Sequence, residues 1–341
     1  MNKKIAITIG DPSGIGSEII AKALSDNIDN SFEYIVVGSG KVMLEGIRIA
    51  NVNLKINTIK SINHAVNTHG IVNVIDVFED FDIEKLEYGK IQKQSGLLAG
   101  KSIETAIALA MAGKVDAVVT APINKESFKL AGYPYPGHTE MFADFTHTTD
   151  YSMILMHGNL RVAHVTTHVS MYDAIQLIKK ERVLKIIKVA DNACKDLGIK
   201  NPVIAVLGLN PHAGENGLFG NQEIDEIIPA IHEAQSIGIN AVGPIPGDTA
   251  FPKALSGMYD CVVVMYHDQG HIPVKLLGFS LNKETGIWDE VKGVNISFGM
   301  PIIRVSVDHG TAFGKAGKGT ANPNSLINAI ETAIVLIKNK Q

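Results

Sequence analysis

Short apolar runs rich in Val, Ile and Leu recur along the chain, and stretches of helical spacing separate them. The runs read as buried strands. One set is Ile5–Ile9, Tyr34–Gly38, Ile71–Val77 and Ala117–Thr120, and a second is Met153–Met156, Arg161–Thr166, Val203–Gly208, Cys261–Met265 and Ile302–Val307. The helical stretches are Ser17–Leu24, Leu97–Ala112, Tyr172–Leu197, Asn221–Ser236 and Ser325–Lys338, with Gly113 and Gly198 placed as stops. Such alternation predicts a mainly parallel sheet with helices on both faces. The polar stretch 280–292 holds the single tryptophan, Trp288, and predicts an exposed loop or hairpin.

At 341 residues, 45% hydrophobic and 19% charged, the chain is long enough for two α/β lobes or one large domain with a sizeable core. The net charge of −4 argues against a nucleic-acid or anionic-membrane surface. Two cysteines, Cys194 and Cys261, imply no disulfide framework. No run reaches the ~18 apolar residues of a membrane span, and the N-terminus lacks a signal-peptide pattern. A cytoplasmic protein is expected.

Three of the apolar segments close on a histidine: RVAHVTTH at His168, VIAVLGLNPH at His212 and CVVVMYH at His267. Open α/β sheets bind ligands beyond the carboxyl ends of their strands. Three imidazoles delivered there can share one divalent metal and leave coordination positions open for a substrate. A lone strand-end histidine is as readily a hydrogen-bonded loop residue, so spacing alone leaves both readings open.

Two glycine-rich segments carry further signal. The turn from Gly10 to Glu18, GDPSGIGSE, follows a strand and opens a helix, but Ile19 stands where a dinucleotide fingerprint wants a small residue. It reads as a tight turn. The segment from His309 to Asn322, HGTAFGKAGKGTAN, follows the buried run IIRVSVD, and its glycines allow backbone to approach a phosphate or adenosine. A surface loop is the competing reading.

Those two segments resemble GDGIGPE and HGSAPDIAGKGIANP of the isopropylmalate and isocitrate dehydrogenases. The pieces TIGDPSGIG, TAPINKE, YPGHTE, TTH, GLNPHAGENGLFGNQE, GPIPGDTAF, YHDQG and GVNISFGMPIIRVSVDHGTAF span the chain. They are more similar still to the 4-hydroxythreonine-4-phosphate dehydrogenase family of that superfamily. The resemblance implies a two-lobed α/β/α isopropylmalate-dehydrogenase-like fold with mainly parallel sheets and the active site in the interdomain cleft. Residues 1–135 with 300–341 would form the lobe carrying the NAD loop. Residues 136–299 would form the lobe with the metal ligands and a homodimer interface.

In that family three histidines bind a divalent metal, and they fall on His168, His212 and His267. The substrate residues fall on His138, Thr139, Lys275, Asn295 and Arg304. The cofactor loop falls on His309, Gly310, Thr311, Ala312 and Asn322, with NAD or NADP as the hydride acceptor. Lys275, Asp248 and Asp268 are the candidate catalytic residues, the aspartates for orientation or proton transfer; turn and helix-cap roles compete for both. Imidazoles suit Zn, Co, Ni or Fe, while Mn and Mg complete the divalent set and magnesium prefers oxygen ligands.

The implied reaction oxidises and decarboxylates 4-hydroxy-L-threonine 4-phosphate to 3-amino-2-oxopropyl phosphate in pyridoxal 5'-phosphate biosynthesis. Two departures favour an alternative, the 4-phospho-D-threonate or 4-phospho-D-erythronate dehydrogenases of sugar-acid catabolism. His271 occupies a position usually apolar in the pyridoxine enzyme, and the link from Lys275 to Asn295 is long. His271, four residues from both His267 and Lys275, is expected at the same pocket rim.

Overall fold

A computed structural model describes residues 2–26, 28–149, 151–284 and 288–340. The strands in chain order are β1 (Lys3–Thr8), β2 (Phe32–Gly38), β3 (Lys55–Ile59), β4 (Ile71–Asp76), β5 (Ala117–Thr120), β6 (Ser152–His157), β7 (Leu160–His164), β8 (Ile204–Leu207), β9 (Ala241–Ile245), β10 (Cys261–Val264), β11 (Phe279–Leu281), β12 (Trp288–Val291), β13 (Val294–Phe298) and β14 (Ile303–Val307). The chain divides into two compact units. One comprises Met1–Thr149, Ile287–Val294 and Met300–Ile337; the other comprises Asp150–Gly286, Asn295–Gly299 and Lys338–Gln341.

In the first unit the strand order is β3-β4-β2-β1-β5-β14, and each pairing is parallel. β5 is a run of four buried residues, as a parallel strand covered on both faces requires. In the second unit the order is β13-β6-β7-β10-β8-β9. The β6–β7 pair is an antiparallel hairpin, while β7, β10, β8 and β9 run parallel. Leu155, Val162, Leu207, Val262, Val264 and Val274 are among the residues packed in its core.

Several elements depart from the sequence expectation. The stretch Tyr172–Leu197 is two helices, Met171–Leu177 and Lys180–Asp196. The break falls at Lys179, which is extended (φ −118°, ψ 149°). The amide of Lys180 donates to the Glu226 carboxylate at 2.7 Å. That cap comes from far along the chain, so helical periodicity does not register it. β3, β9 and β13 lie outside the expected strands, and the polar stretch 280–292 contributes β11 and β12 with 285–287 outside the described residues.

The turn after β1 is a packed corner of the first unit. A Cβ at Gly14 would lie 2.8 Å from Thr311 Cβ, and the Ile15 amide donates to the Thr311 carbonyl. Glu18 is buried; its Oε1 accepts from Lys22 Nζ at 2.8 Å and from the Ala321 amide at 2.7 Å. The 309–322 segment is thereby fastened at both ends while Gly310 and Gly314 have open space where a Cβ would stand.

Asp11, in the same turn, is buried, and desolvation pushes its pKa up to about 6 although the Ser13 amide donates to it. Its folded pKa lies above the unfolded value near 3.8, so its contribution to stability is full below about pH 4 and lost as pH rises through 6. Urea denaturation from pH 4 to pH 7 should therefore show wild type losing up to about 3 kcal/mol relative to Asp11→Asn. Parallel pH dependences in the two proteins would contradict this account.

Candidate functional site

β7, β10 and β8 are consecutive parallel neighbours in the second unit, so their carboxyl ends open on the same edge. His168, His212 and His267 follow those three ends. Polar bonds tie the ends together. Thr166 Oγ1 donates to the Met265 carbonyl at 2.8 Å, joining the segment after β7 to the segment after β10. Gln269 joins the segments after β10 and β8: its Oε1 accepts from the Met265 amide at 2.7 Å and its Nε2 donates to the Gly208 carbonyl at 2.9 Å.

His267 begins the helix His267–Gly278. Its Nδ1 lies 2.6 Å from Asp268 Oδ1, which favours the tautomer with the proton on Nδ1 and the lone pair on Nε2. The His168 ring is centred 5.7 Å from the His267 ring. His212 lines a cavity of about 570 Å³ together with Asp248, Asp268, Gln269 and Tyr266. Among the described residues no group of three His, Cys, Asp or Glu side chains already stands ready for a metal. The donor set still fits one: three imidazoles at adjacent strand ends, one with its second nitrogen engaged by a carboxylate.

The loop that carries His212 is held in an unusual backbone state. His212, Ala213, Glu215 and Asn216 all have positive φ, between 43° and 53°, with Gly214 between them at 84°. Left-handed conformation costs roughly 1–2 kcal/mol per non-glycine residue, so the surroundings must impose it. Glu223, buried, supplies that constraint. Its Oε1 accepts from the Leu209 and Asn210 amides at 2.7 Å each, and its Oε2 accepts from Asn210 Nδ2 at 2.9 Å. A Cβ at Gly214 would come within 2.7 Å of Glu223 Oε2, which fixes glycine there.

A second group of expected residues lies together in the first unit. Arg304, on β14, is 2% exposed. Its Nη1 donates to Thr139 Oγ1 at 3.2 Å and its Nη2 to Thr120 Oγ1 at 2.9 Å, and the Phe142 ring lies 5.5 Å away. Burial lowers its pKa to about 10, which leaves it charged at neutral pH. His138 opens the helix His138–Phe145. Burial, and then the nearby Arg304 charge, hold it well below the ordinary imidazole range. Nothing among the described residues hydrogen-bonds its buried Nε2. A buried cation beside a neutral imidazole with a free nitrogen is suited to a phosphate or carboxylate.

The remaining expected residues are more dispersed. Lys275 is exposed on the helix His267–Gly278, with its ammonium 5.8 Å from the Phe279 ring. Asn295, on β13, is in contact with the Met153 sulfur. His309 Nδ1 is 2.8 Å from the Gly310 carbonyl, Thr311 is buried, Ala312 is left-handed, and Asn322 accepts from the Asn324 amide. His271 differs from expectation. It is 7% exposed, stacked on the His267 ring at 3.7 Å, and is not a rim residue. In a helix, residues four apart share a face, and here that face is turned inward against β7. Gln269, Glu223 and His164 have no metal or substrate signature in the sequence. The first two are legible only as polar residues beside a strand end, and His164 is hidden inside an apolar run.

Comparisons with known proteins agree along the chain. The family description "Pyridoxal phosphate biosynthetic protein PdxA" matches residues 30–333. A D-threonate 4-phosphate dehydrogenase of Salmonella typhimurium is 45% identical over 98% of this chain and 99% of its own. One of Pectobacterium atrosepticum is 44% identical over 98% and 100%. The crystal structure of 4-hydroxythreonine-4-phosphate dehydrogenase from Klebsiella pneumoniae superposes with a TM-score of 0.84 at 42% identity, covering 98% of this chain and 99% of that one.

The Glu223 constraint has a direct consequence. Glu223→Gln should lower stability in urea denaturation by about 2 kcal/mol, the scale of hydrogen bonds to a charged acceptor. It should also speed hydrogen exchange at the amides of Leu209 and Asn210. Wild-type exchange rates at both amides would contradict the role assigned to Glu223.

Proposed function

This chain belongs to the PdxA family, whose fold is isopropylmalate-dehydrogenase-like, and on that premise we propose that it is a nicotinamide- and divalent-metal-dependent dehydrogenase that oxidises and decarboxylates a phosphorylated four-carbon hydroxy acid. The observation that carries the reading is the presence of two chemistries in one chain. Three imidazoles follow adjacent strand ends in one unit, and a buried guanidinium stands beside a neutral histidine in the other.

In this reading His168, His212 and His267 hold the metal, with Asp268 keeping the His267 lone pair on Nε2. When bound, the ion supplies Lewis-acid polarisation of the substrate hydroxyl and carboxylate oxygens. Arg304, Thr139 and His138 bind the substrate's anionic end, and Asn295 orients its polar substituents. The Asp248 carboxylate, which lines the His212 cavity, would accept the hydroxyl proton, and NAD or NADP, when bound, would supply the hydride acceptor. Lys275 Nζ returns a proton to the carbon vacated by CO2. The 309–322 segment holds the adenosine half of NAD or NADP, its anchored ends leaving Gly310 and Gly314 open to a flat ligand.

For the substrate, the family description and the Klebsiella structure support 4-hydroxythreonine 4-phosphate, converted to 3-amino-2-oxopropyl phosphate for pyridoxal phosphate formation. The Salmonella and Pectobacterium relatives favour a second reading, D-threonate 4-phosphate. The same reading includes a cytoplasmic homodimer. Tyr172, Leu218, Phe219 and Leu276 of the second unit are exposed apolar side chains suited to burial by a second copy. No helix among the described residues is long and apolar enough to cross a membrane.

The test is a panel of 4-hydroxythreonine 4-phosphate, D-threonate 4-phosphate and 4-phospho-D-erythronate with NAD or NADP, with and without chelator. At least one acid should yield reduced nicotinamide, chelation should abolish turnover, and the preferred acid should exceed the others by at least about tenfold. Arg304→Lys should reduce kcat/KM by at least about tenfold, or 1.4 kcal/mol of transition-state binding. Reduced nicotinamide from none of the acids, or undiminished turnover after chelation, would overturn the proposal.

A further inference from the structure

Four histidines, two of them outside the expected metal set, stand in a row in the second unit. The His267 and His271 rings are stacked at 3.7 Å with an interplanar angle of 9°. His164 lies on from His271, its ring centred 4.8 Å away, and His168 lies 5.7 Å from His267. His164 and His271 are 1% and 7% exposed. His271 Nδ1 is 3.1 Å from the His267 carbonyl oxygen, an acceptor, so it carries the proton.

Face-to-face rings at that separation direct their nitrogen lone pairs along parallel planes, so His267 and His271 do not converge on one ion. We propose instead that His271 is a positioning residue for His267, its ring face blocking rotation of the ligand imidazole, with His164 packed behind as the backstop. The second torsion of a histidine is soft and roughly two-fold, so an exposed strand-end imidazole needs outside groups to fix it. Asp268 fixes the ring within its own plane through Nδ1, and His271 fixes it from the side. Gly270 makes the arrangement possible: a Cβ there would come within 2.6 Å of both His164 Nε2 and Val162 Cγ1. The helix His267–Gly278 therefore seats against β7 closely enough to bring the rings together. This role acts through His267 and not through the substrate, which removes His271 from any direct reading of the substituent that separates the two candidate acids.

The inference rests on His267 being a metal ligand, and the experiment keeps the two claims apart. Metal-free wild type, His267→Ala, His271→Leu and His271→Phe are titrated with Co(II) alone, reading the visible ligand-field absorption, and the unfolding midpoint of each metal-free protein is recorded. His271→Leu should weaken Co(II) binding by at least about tenfold, the usual scale for a residue that orients a ligand, while His271→Phe, which keeps a flat face, should stay within about threefold. Co(II) affinity in His271→Leu equal to wild type, or a loss of equal size in His271→Phe, would overturn the positioning role. A loss in His271→Leu matched by a lowered unfolding midpoint, with His271→Phe failing likewise, would assign the stack to folding only. Undiminished binding in His267→Ala would instead overturn the ligand assignment itself.

Discussion

The parallel alignment of β7, β10 and β8 is the constraint on which the candidate metal site depends. All four residues of β8 and of β10 are buried. Burying a side chain such as Val contributes roughly 1.5–3 kcal/mol, so these strands form a stiff base. Their ends would still fan into independent loops without the cross-ties of Thr166 and Gln269. The His212 loop shows the balance of forces. Four non-glycine left-handed residues cost roughly 4–8 kcal/mol together, and three bonds to a buried carboxylate return about the same amount. Glu223 is thus the condition for the loop's shape, and the strain is the reason that shape is local to the site.

The first unit solves a different problem, the holding of a positive charge away from water. Arg304 is desolvated yet still charged, and His138 beside it is forced neutral. A neutral imidazole there avoids a second buried cation and leaves a nitrogen available for a phosphate oxygen or hydroxyl. Glu18 acts in the same unit as a strut, reaching from the first helix to the Ala321 amide and to Lys22, which in turn donates to the Gly319 and Ala321 carbonyls. The glycine-rich turn at Gly14 and the 309–322 segment are therefore one packed unit, in which a side chain at Gly14 would collide with Thr311.

Legibility in the sequence follows burial and periodicity. Strands buried on both faces, such as β5, β8 and β10, are plain apolar runs. β3 is exposed or partly buried except at Ile59 and does not alternate regularly, and β9 contains Gly243 and Pro244, so neither presents a strand pattern. The helices Gly247–Leu255 and His267–Gly278 each contain a proline, which reads locally as a breaker although tertiary packing retains the helix. Histidines after strand ends are conspicuous because a polar residue interrupts an apolar run. His164 is not, since it sits within the run, and His271 misleads because helical spacing from His267 says which face it shares and not whether that face is covered. Glu223 and Gln269 act only through backbone groups distant in the sequence, a role that residue type and spacing do not encode.

Anomalous diffraction from crystals of the protein loaded with Co(II) tests the central claim most directly. The account predicts one strong peak in the second unit bonded to imidazole nitrogens of His168, His212 and His267, with Asp268 still engaging His267 Nδ1. A peak that leaves out any of the three histidines, or one centred on His164 and His271, would contradict it.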